Sequence, residues 1–197
     1  MGIRSFLAFE LPSEIKKQII AVSKELKKTA LPVRWVKTEN IHLTILFLGS
    51  VDEDAISDIE EKVNVVVRGF SAFKIKLNAV GTFPHWKRPR VIWIGLDGDI
   101  GKLSNFRNDL QEKLKILGFI PEKRPFQPHL TLGRFKRSLD RDADIQRILD
   151  SRYHTLHSEL YYLDELVLYK SDLKPEGPVY TKMATWPLKV ENSEASS

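Results

Sequence analysis

The stretch His42-Leu43-Thr44-Ile45 recurs almost unchanged 87 residues later as His129-Leu130-Thr131-Leu132. The tripeptide His-Leu-Thr is expected only about 0.02 times by chance in a chain of this composition, so two copies are a specific pattern. Both copies stand in short apolar runs, which predicts a β-strand at each of them. The repeat therefore indicates that the chain contains two related halves.

The spacing within each copy predicts which side chains share a surface. On a strand, residues i and i+2 point to the same face. Each copy thus presents one imidazole and one hydroxyl side by side, His42 with Thr44 and His129 with Thr131. The intervening leucines are expected to point into the core.

The elements around the two copies follow in the same order at the same spacing, as apolar periodicity and helix-start signals indicate. The predicted order is strand 3–9, helix from Ser13, strand 41–48, helix 56–66 and strand 73–77, then strand 90–96, helix 103–117, strand 130–135, helix 145–149 and strand 160–169, with a last strand at 179–186. Each half is therefore a β-α-β-α-β unit.

Duplicated units of this length predict an α+β fold rather than a solenoid. We expect a bilobal molecule, in which two lobes are related by a pseudo-twofold axis and their antiparallel sheets face a central groove. Residues 1–190 would form this single domain, with lobes at about 1–86 and 87–190 between which strands are free to exchange. The polar residues 191–197 are expected to form a flexible tail.

The composition excludes several classes of protein. The 197 residues are 42% hydrophobic and 29% charged, which is typical of a globular protein and not of a disordered one. There is no cysteine, which rules out disulfides, zinc–thiolate sites and a cysteine nucleophile. We see no secretory signal and no apolar run long enough for a membrane helix, so we expect a cytoplasmic monomer without a membrane partner. The net charge of +5 permits a polyanionic partner.

Two histidines facing one groove suit acid–base chemistry. With an ordinary pKa near 6.5, one imidazole can accept a proton while the other donates one at neutral pH. The hydroxyls of Thr44 and Thr131 can donate to oxygens on which negative charge develops. A lone histidine would more often be structural, but a matched pair in a duplicated frame favours catalysis.

The chain resembles the 2H phosphoesterase superfamily, and in particular its RNA 2′,3′-cyclic phosphodiesterase branch, also called the 2′-5′ RNA ligase family. The resemblance rests on both histidine motifs and extends over nearly the whole chain. The matching segments are 6–12 (FLAFELP), 34–36 (RWV), 39–49 (ENIHLTILFLG), 124–134 (RPFQPHLTLGR) and 166–171 (LVLYKS), with Gly177 and Tyr180 following.

The resemblance implies hydrolysis of a 2′,3′-cyclic phosphate at an RNA end, which leaves a 2′-phosphate. It implies that His42 is the proton donor to the departing O3′ and that His129 is the proton acceptor that activates water. Thr44 and Thr131 would hold phosphate oxygens, and no metal or other cofactor is implied. Arg134 would contact phosphate or base. An ideal strand would turn Arg134 away from His129, but a bulge at Gly133 would bring it to the groove.

Three alternatives remain open. The same histidines would also serve a reversible ligation, in which a cyclic-phosphate end and a 5′-hydroxyl end join through a 2′-5′ linkage. In a second alternative, the substrate is a small cyclic nucleotide. In a third, the protein binds RNA ends without catalysing a reaction.

Basic residues lie near the second motif, at 123–137, and form a second cluster of Lys87, Arg88 and Arg90 beside His85 and Trp86. They are candidates to follow an RNA backbone, with Trp86, Trp35 or Phe126 as a stacking surface. The spacing of His154 and His157 would suit a metal site, but we disfavour it because few carboxylates lie nearby.

Overall fold

The fold is described from a computed structural model, which covers residues 2–136, 145, 156, 158–175 and 177–191. Apart from Ile145 and Glu191, the predicted helix at 145–149 and the predicted tail at 191–197 lie outside these residues. The helices are α1 (Ser13–Lys27), α2 (Ile56–Val67) and α3 (Ile100–Lys115). The strands are β1 (Ile3–Phe9), β2 (Val33–Trp35), β3 (Leu43–Val51), β4 (Phe73–Phe83), β5 (Val91–Gly98), β6 (His129–Phe135), β7 (Tyr161–Leu163), β8 (Glu165–Lys174) and β9 (Gly177–Pro187).

The strands form one curled antiparallel sheet that consists of two halves. Its order is β7-β4-β5-β6-β3-β1-β8-β9, and β2 adds to the far end of β6. The two halves join through β3 and β6, which are paired at a single position, Leu43 opposite Leu130. The two histidine motifs thus stand on the two central strands.

Each half-sheet contains a strand from the other half of the chain. β4 belongs to the first sequence repeat, yet it pairs with β5 of the second. In the same way, β8 belongs to the second repeat and pairs with β1 of the first. The connection at residues 84–90, expected between the lobes, is therefore the turn of a hairpin within one half-sheet.

The helices cover one face of the sheet because their apolar stripes face it. Residues at spacings of three and four on each of α1, α2 and α3 are buried in one continuous core with the inward-facing residues of the strands, as the sequence pattern predicts. The helical members include Ile15, Ile19, Leu26, Ile59, Val63, Leu103, Phe106, Leu110 and Leu114. No helix among the described residues is long and apolar enough to cross a membrane.

The other face of the sheet, which we call the groove face, carries both histidines. Along β1 the side chains alternate, so that Leu7 and Phe9 join the helix-covered core while Phe6 and Ala8 belong to a second cluster. This cluster also includes Val167 and Tyr169. The groove face near His42 is therefore lined by aromatic side chains.

Some element boundaries differ from the sequence-based expectation. β3 begins at Leu43 rather than 41, because residues 38–40 form a short 3₁₀ helix. β2 was not predicted, because a strand of three residues is too short to show an alternation of apolar and polar side chains. The two motifs also differ in their partners on the neighbouring strand. Ala8 of β1 lies opposite Thr44, whereas Trp93 of β5 lies opposite Thr131. The pairing of β5 with β6 is therefore displaced by two residues relative to the 87-residue repeat.

The close approach of β2 to β6 depends on a glycine. A Cβ atom on Gly133 would overlap Val33 Cγ1 and come within 3.0 Å of the Arg34 carbonyl oxygen. We expect Gly133→Ala to lower the free energy of unfolding by about 1–3 kcal/mol, because β2 would have to move. Urea denaturation would measure the change.

Gly101→Ala is the matched control. Gly101 lies on α3, where an added Cβ meets nothing within 4 Å. Alanine is the better helix former, so this variant should be as stable as the parent or slightly more stable. Equal stability losses in both variants would contradict the role assigned to the β2–β6 approach.

Candidate active site

The pairing of Leu43 with Leu130 sets the geometry of the site. Both leucines are fully buried, so the residues before and after each of them face the groove. In an antiparallel pair the register runs in opposite directions along the two strands. It therefore sets His42 across from Thr131, and His129 across from Thr44. The structure brings the four side chains that the sequence singled out to one place.

His42 is held by a backbone hydrogen bond and by aromatic rings. Its Nδ1 lies 2.9 Å from the carbonyl oxygen of Asn40. The Phe6 ring stacks on the imidazole at 4.8 Å between centroids, and Tyr180 meets it edge-on at 5.2 Å. Burial lowers the pKa of His42 to about 4, and the hydrogen bond to Asn40 opposes this shift only in part.

His129 has a similar but more open environment. Its Nδ1 lies 2.7 Å from the carbonyl oxygen of Gln127, two residues earlier, as in the first motif. Phe83 meets the ring edge-on at 4.9 Å and Trp93 lies at 6.4 Å. Burial lowers the pKa of His129, the hydrogen bond to Gln127 opposes the shift, and the nearby Arg134 charge adds to it.

The two backbone hydrogen bonds assign the tautomer of both rings. A carbonyl oxygen can only accept, so Nδ1 must be the protonated nitrogen in each neutral imidazole. This leaves Nε2 of each ring free to take up a proton or, once protonated, to release one. The pair can therefore act as a base and an acid on the same group.

Arg134 shares a face with His129 because the strand contains a bulge. Gly133 and Thr131 lie opposite consecutive residues of β5, so Leu132 is an extra residue in β6. Alternation shifts by one beyond it, and Arg134 lies opposite Val91 on the groove side.

A neighbouring hairpin fixes the segment before His42. The side-chain amide of Asn40 donates a hydrogen bond to the carbonyl oxygen of Pro178, at 3.1 Å. Arg34 donates from Nη2 to the carbonyl oxygen of Pro175, also at 3.1 Å. Both acceptors lie in or near the turn between β8 and β9, whose Tyr180 packs on His42. The hairpin thus contacts His42 both directly and through Asn40.

The sequence reasoning did not identify the aromatic residues around the histidines. Phe6, Tyr169 and Tyr180 surround His42, while Phe83 and Trp93 flank His129. Strand alternation on β1 was the available signal, because it separates Phe6 from Leu7 and Phe9. The contributions of β8 and β9 had no such signal, since β8 pairs with β1 across most of the chain and β9 is placed by its pairing with β8.

The aromatic residues expected to stack on RNA have different surroundings. Trp35 and Phe126 are half-buried and pack against the helix-covered core. Trp86 is 43% exposed on the β4–β5 turn, where Lys87 Nζ lies 5.4 Å from its ring centre. Arg137, His154 and His157 lie outside the described residues. Within the described ranges, no three His, Asp or Glu side chains are grouped as metal ligands.

The sheet topology and the paired His-Thr motifs define a two-lobed phosphoesterase fold. The model of the LigT-like phosphoesterase family matches the chain twice, at residues 9–93 and 94–180. The chain belongs to this family, and its two halves correspond to the two matches.

Named relatives and solved structures agree with this assignment. The RNA 2′,3′-cyclic phosphodiesterase of Archaeoglobus fulgidus is 38% identical over 178 residues, which is 90% of this chain and 96% of that protein. The protein of the same name from Thermotoga maritima is 35% identical, covering 90% of this chain and 91% of the relative. Escherichia coli LigT in its apo form has a TM-score of 0.74 at 26% identity, over 96% of this chain and 99% of LigT.

The aromatic burial of His42 has a measurable consequence. In an NMR titration, we expect His42 to titrate near pH 4. The variant Phe6→Ala should raise the pKa of His42 toward 6.5, because water would reach the imidazole and solvate its charged form. Phe83→Ala, which removes a ring from His129 instead, is the control. An unchanged His42 pKa in Phe6→Ala would contradict the desolvation by the Phe6 ring.

Proposed function

We propose that this protein hydrolyses RNA 2′,3′-cyclic phosphate ends to 2′-phosphomonoesters without a metal or other cofactor. The observation that carries the proposal is the pair of His-Thr motifs on adjacent strands, with each histidine opposite the other motif's threonine. The substrate class is supported by the named relatives, which are RNA 2′,3′-cyclic phosphodiesterases. We propose further that it acts as a cytoplasmic monomer.

In this mechanism the two Nε2 atoms act on opposite sides of the phosphorus. His129 accepts a proton from a water molecule as the water oxygen bonds to phosphorus. His42, protonated on Nε2, donates its proton to O3′ as the P–O3′ bond breaks. The product carries a 2′-phosphate and a free 3′-hydroxyl, and proton exchange with solvent then resets both rings. Such proton transfers each contribute about 10²–10⁴-fold to the rate.

The remaining groove residues stabilise charge. Thr44 and Thr131 stand beside the histidines and would donate hydrogen bonds to the non-bridging oxygens, where negative charge grows. Arg134 is exposed on the same face and would contact the phosphate as a cation.

The lowered pKa values of the free protein make substrate binding part of the mechanism. Both histidines are neutral at pH 7, so His42 lacks the proton it must donate. The anionic cyclic phosphate favours the charged form of a neighbouring imidazole and so raises its pKa. We propose that the histidine pair takes up its single catalytic proton when the substrate binds.

The joining of a cyclic-phosphate end to a 5′-hydroxyl end is the second candidate. The 5′-hydroxyl would take the place of water: His129 would accept its proton as the 5′-oxygen bonds to phosphorus, and His42 would donate a proton to O3′ as the P–O3′ bond breaks, which leaves a 2′-5′ linkage. A non-catalytic RNA-end binder is disfavoured, because both Nε2 atoms are left free by the hydrogen bonds at Nδ1.

Phosphorus NMR of an oligoribonucleotide with a 2′,3′-cyclic phosphate end would test the activity. In EDTA, we expect the cyclic signal to be replaced by that of a 2′-phosphomonoester. His42→Ala and His129→Ala should each lower the rate by at least about 100-fold while RNA binding persists.

His85→Ala is the matched control, because His85 is exposed on the β4–β5 turn. Its turnover should equal that of the parent protein. An unchanged cyclic end with folded parent protein would contradict hydrolysis, and a 5′-hydroxyl RNA partner would then test joining. Activity that is lost in EDTA would contradict metal independence.

The pH dependence follows from the directions of the two pKa shifts. One imidazole must be charged and the other neutral, so the profile should be bell-shaped. The profile of kcat/KM reports the free protein, in which both pKa values are lowered, and its maximum should lie below pH 6.5. The profile of kcat should peak at higher pH, because bound phosphate raises both values. A flat profile from pH 5 to 9 would be inconsistent with the two-histidine mechanism.

A further inference from the structure

Two arginine side chains lie directly opposite each other where β2 adds to β6. Arg34 pairs with Arg134, and directly opposed residues of an antiparallel pair point to the same face. The neighbours of Arg34 along β2, Val33 and Trp35, pack against the helix-covered core. Arg34 and Arg134 therefore both lie on the groove face, and both are exposed.

Within the described ranges, no carboxylate forms an ion pair with Arg34 or Arg134, which we call the arginine pair. Like charges directly opposite each other destabilise a strand pair. Arg34 donates from Nη2 to the carbonyl oxygen of Pro175, at 3.1 Å, and this contact holds the side chain without cancelling its charge. A bound anion would remove the repulsion, so the arginine pair is a candidate anion site.

The arginine pair lies close to the position proposed for the cyclic phosphate. The β5 partners of Thr131 and Arg134 are two residues apart, a distance of about 7 Å along the strand. Thr131 lies across from His42, and Arg134 lies beyond it in the direction away from His129. The arginine pair therefore flanks the site on the side of the proposed proton donor.

The cations near Tyr169 have carboxylate partners instead. Lys182 lies opposite Tyr169 and forms ion pairs with Glu10 and Glu165, and Lys16 forms an ion pair with Glu10. Their charges are thus neutralised within the protein. The uncompensated positive charge beside His42 lies at the arginine pair.

The structure of an RNA end brings a second anion to the same side. In an in-line displacement, the attacking and leaving oxygens lie on opposite sides of the phosphorus. The leaving O3′ is attached to the ribose, so this ribose lies on the side of the proton donor. In RNA, the O5′ of the same ribose carries the phosphodiester that joins the preceding nucleotide. A cyclic mononucleotide has no such phosphodiester.

We infer that Arg34, together with Arg134, binds the internal phosphate on the 5′ side of the cyclic-phosphate nucleotide. This inference rests on the proposed function and on His42 as the proton donor. A guanidinium group has five N–H donors, so Arg34 can keep its bond to Pro175 and still donate two hydrogen bonds to a phosphate. The site contacts the RNA backbone and not the bases, so it distinguishes RNA ends from cyclic mononucleotides without a sequence preference.

Three substrates and one substitution test the inference. The first substrate is the dinucleotide ApA with a 2′,3′-cyclic phosphate end, and the second is its analogue with an uncharged methylphosphonate at the internal linkage. Both carry a 2′-O-methyl group on the first ribose, which prevents cleavage at that linkage. The third is adenosine 2′,3′-cyclic phosphate, which has no internal phosphate.

Arg34→Gln should lower kcat/KM for the dinucleotide about 5- to 10-fold, between the effects of an exposed ion pair and of a charged hydrogen bond. The loss should arise chiefly through KM, because the contact lies away from the reacting atoms. The methylphosphonate should cost the parent protein a similar factor. Arg34→Gln should then change kcat/KM less than about 2-fold for the methylphosphonate and for the mononucleotide, since the two changes remove the same interaction.

The stability of the free protein is a second readout. Arg34→Gln removes the like-charge contact while glutamine keeps a donor for Pro175, so the midpoint of urea unfolding should stay unchanged or rise. Arg34→Lys keeps the charge and should retain most of the preference for the dinucleotide. Arg68→Gln, which removes an exposed arginine at the end of α2, is the matched control and should change none of the three rates.

The outcomes separate this inference from the function it rests on. Failure of the parent protein to hydrolyse any of the three substrates or a cyclic-phosphate RNA would contradict the proposed function itself. If the parent protein is active, equal losses for all three substrates in Arg34→Gln, or no loss at all, would overturn the role of Arg34. Equal kcat/KM of the parent protein for the dinucleotide and its methylphosphonate would also overturn it, because the internal charge would then make no contact.

Discussion

Leu43 and Leu130 lie opposite each other where the two half-sheets meet, and the positions of the four central polar side chains follow from that pair. Both leucines are fully buried, so their neighbours on either side must face the groove. A slip of one residue in either strand would send a histidine and a threonine into the core and two apolar side chains into water. The burial of these leucines thus keeps the site in register, since a slip would lose their hydrophobic stabilisation and leave buried polar groups unpaired.

The aromatic surroundings of the histidines have two opposed effects. Rings stacked against the imidazoles hold them in place, together with the carbonyl groups of Asn40 and Gln127. The same rings keep water away and make the charged form of each imidazole unfavourable. An anion between the two imidazoles stabilises their charged form, as water does at an exposed site. The empty groove therefore disfavours a protonated imidazole, whereas a groove that holds a phosphate favours one.

The sequence predicted the site better than the sheet that surrounds it. The spacing of His42 and Thr44, repeated at His129 and Thr131, was sufficient to predict which side chains share a face. Gly133 also indicated a bulge that would bring Arg134 to the groove, and the structure has an extra residue, Leu132, directly before it. The exchange of β4 and β8 between the half-sheets was not predictable, because apolar alternation identifies a strand but not its partner. The contacts of Tyr180 and Asn40 depend on that exchange.

The exchanged strands also bear on how such a chain can have arisen. A fragment that ended after β4 would place this strand beside a β5 that it does not contain, and its own β1 would lack β8. Two copies of one ancestral unit could satisfy each other by lending these strands reciprocally, as in a domain-swapped homodimer. Gene fusion at the β4–β5 turn would join such a dimer into one polypeptide. After such a fusion, the two halves would have been free to diverge in sequence.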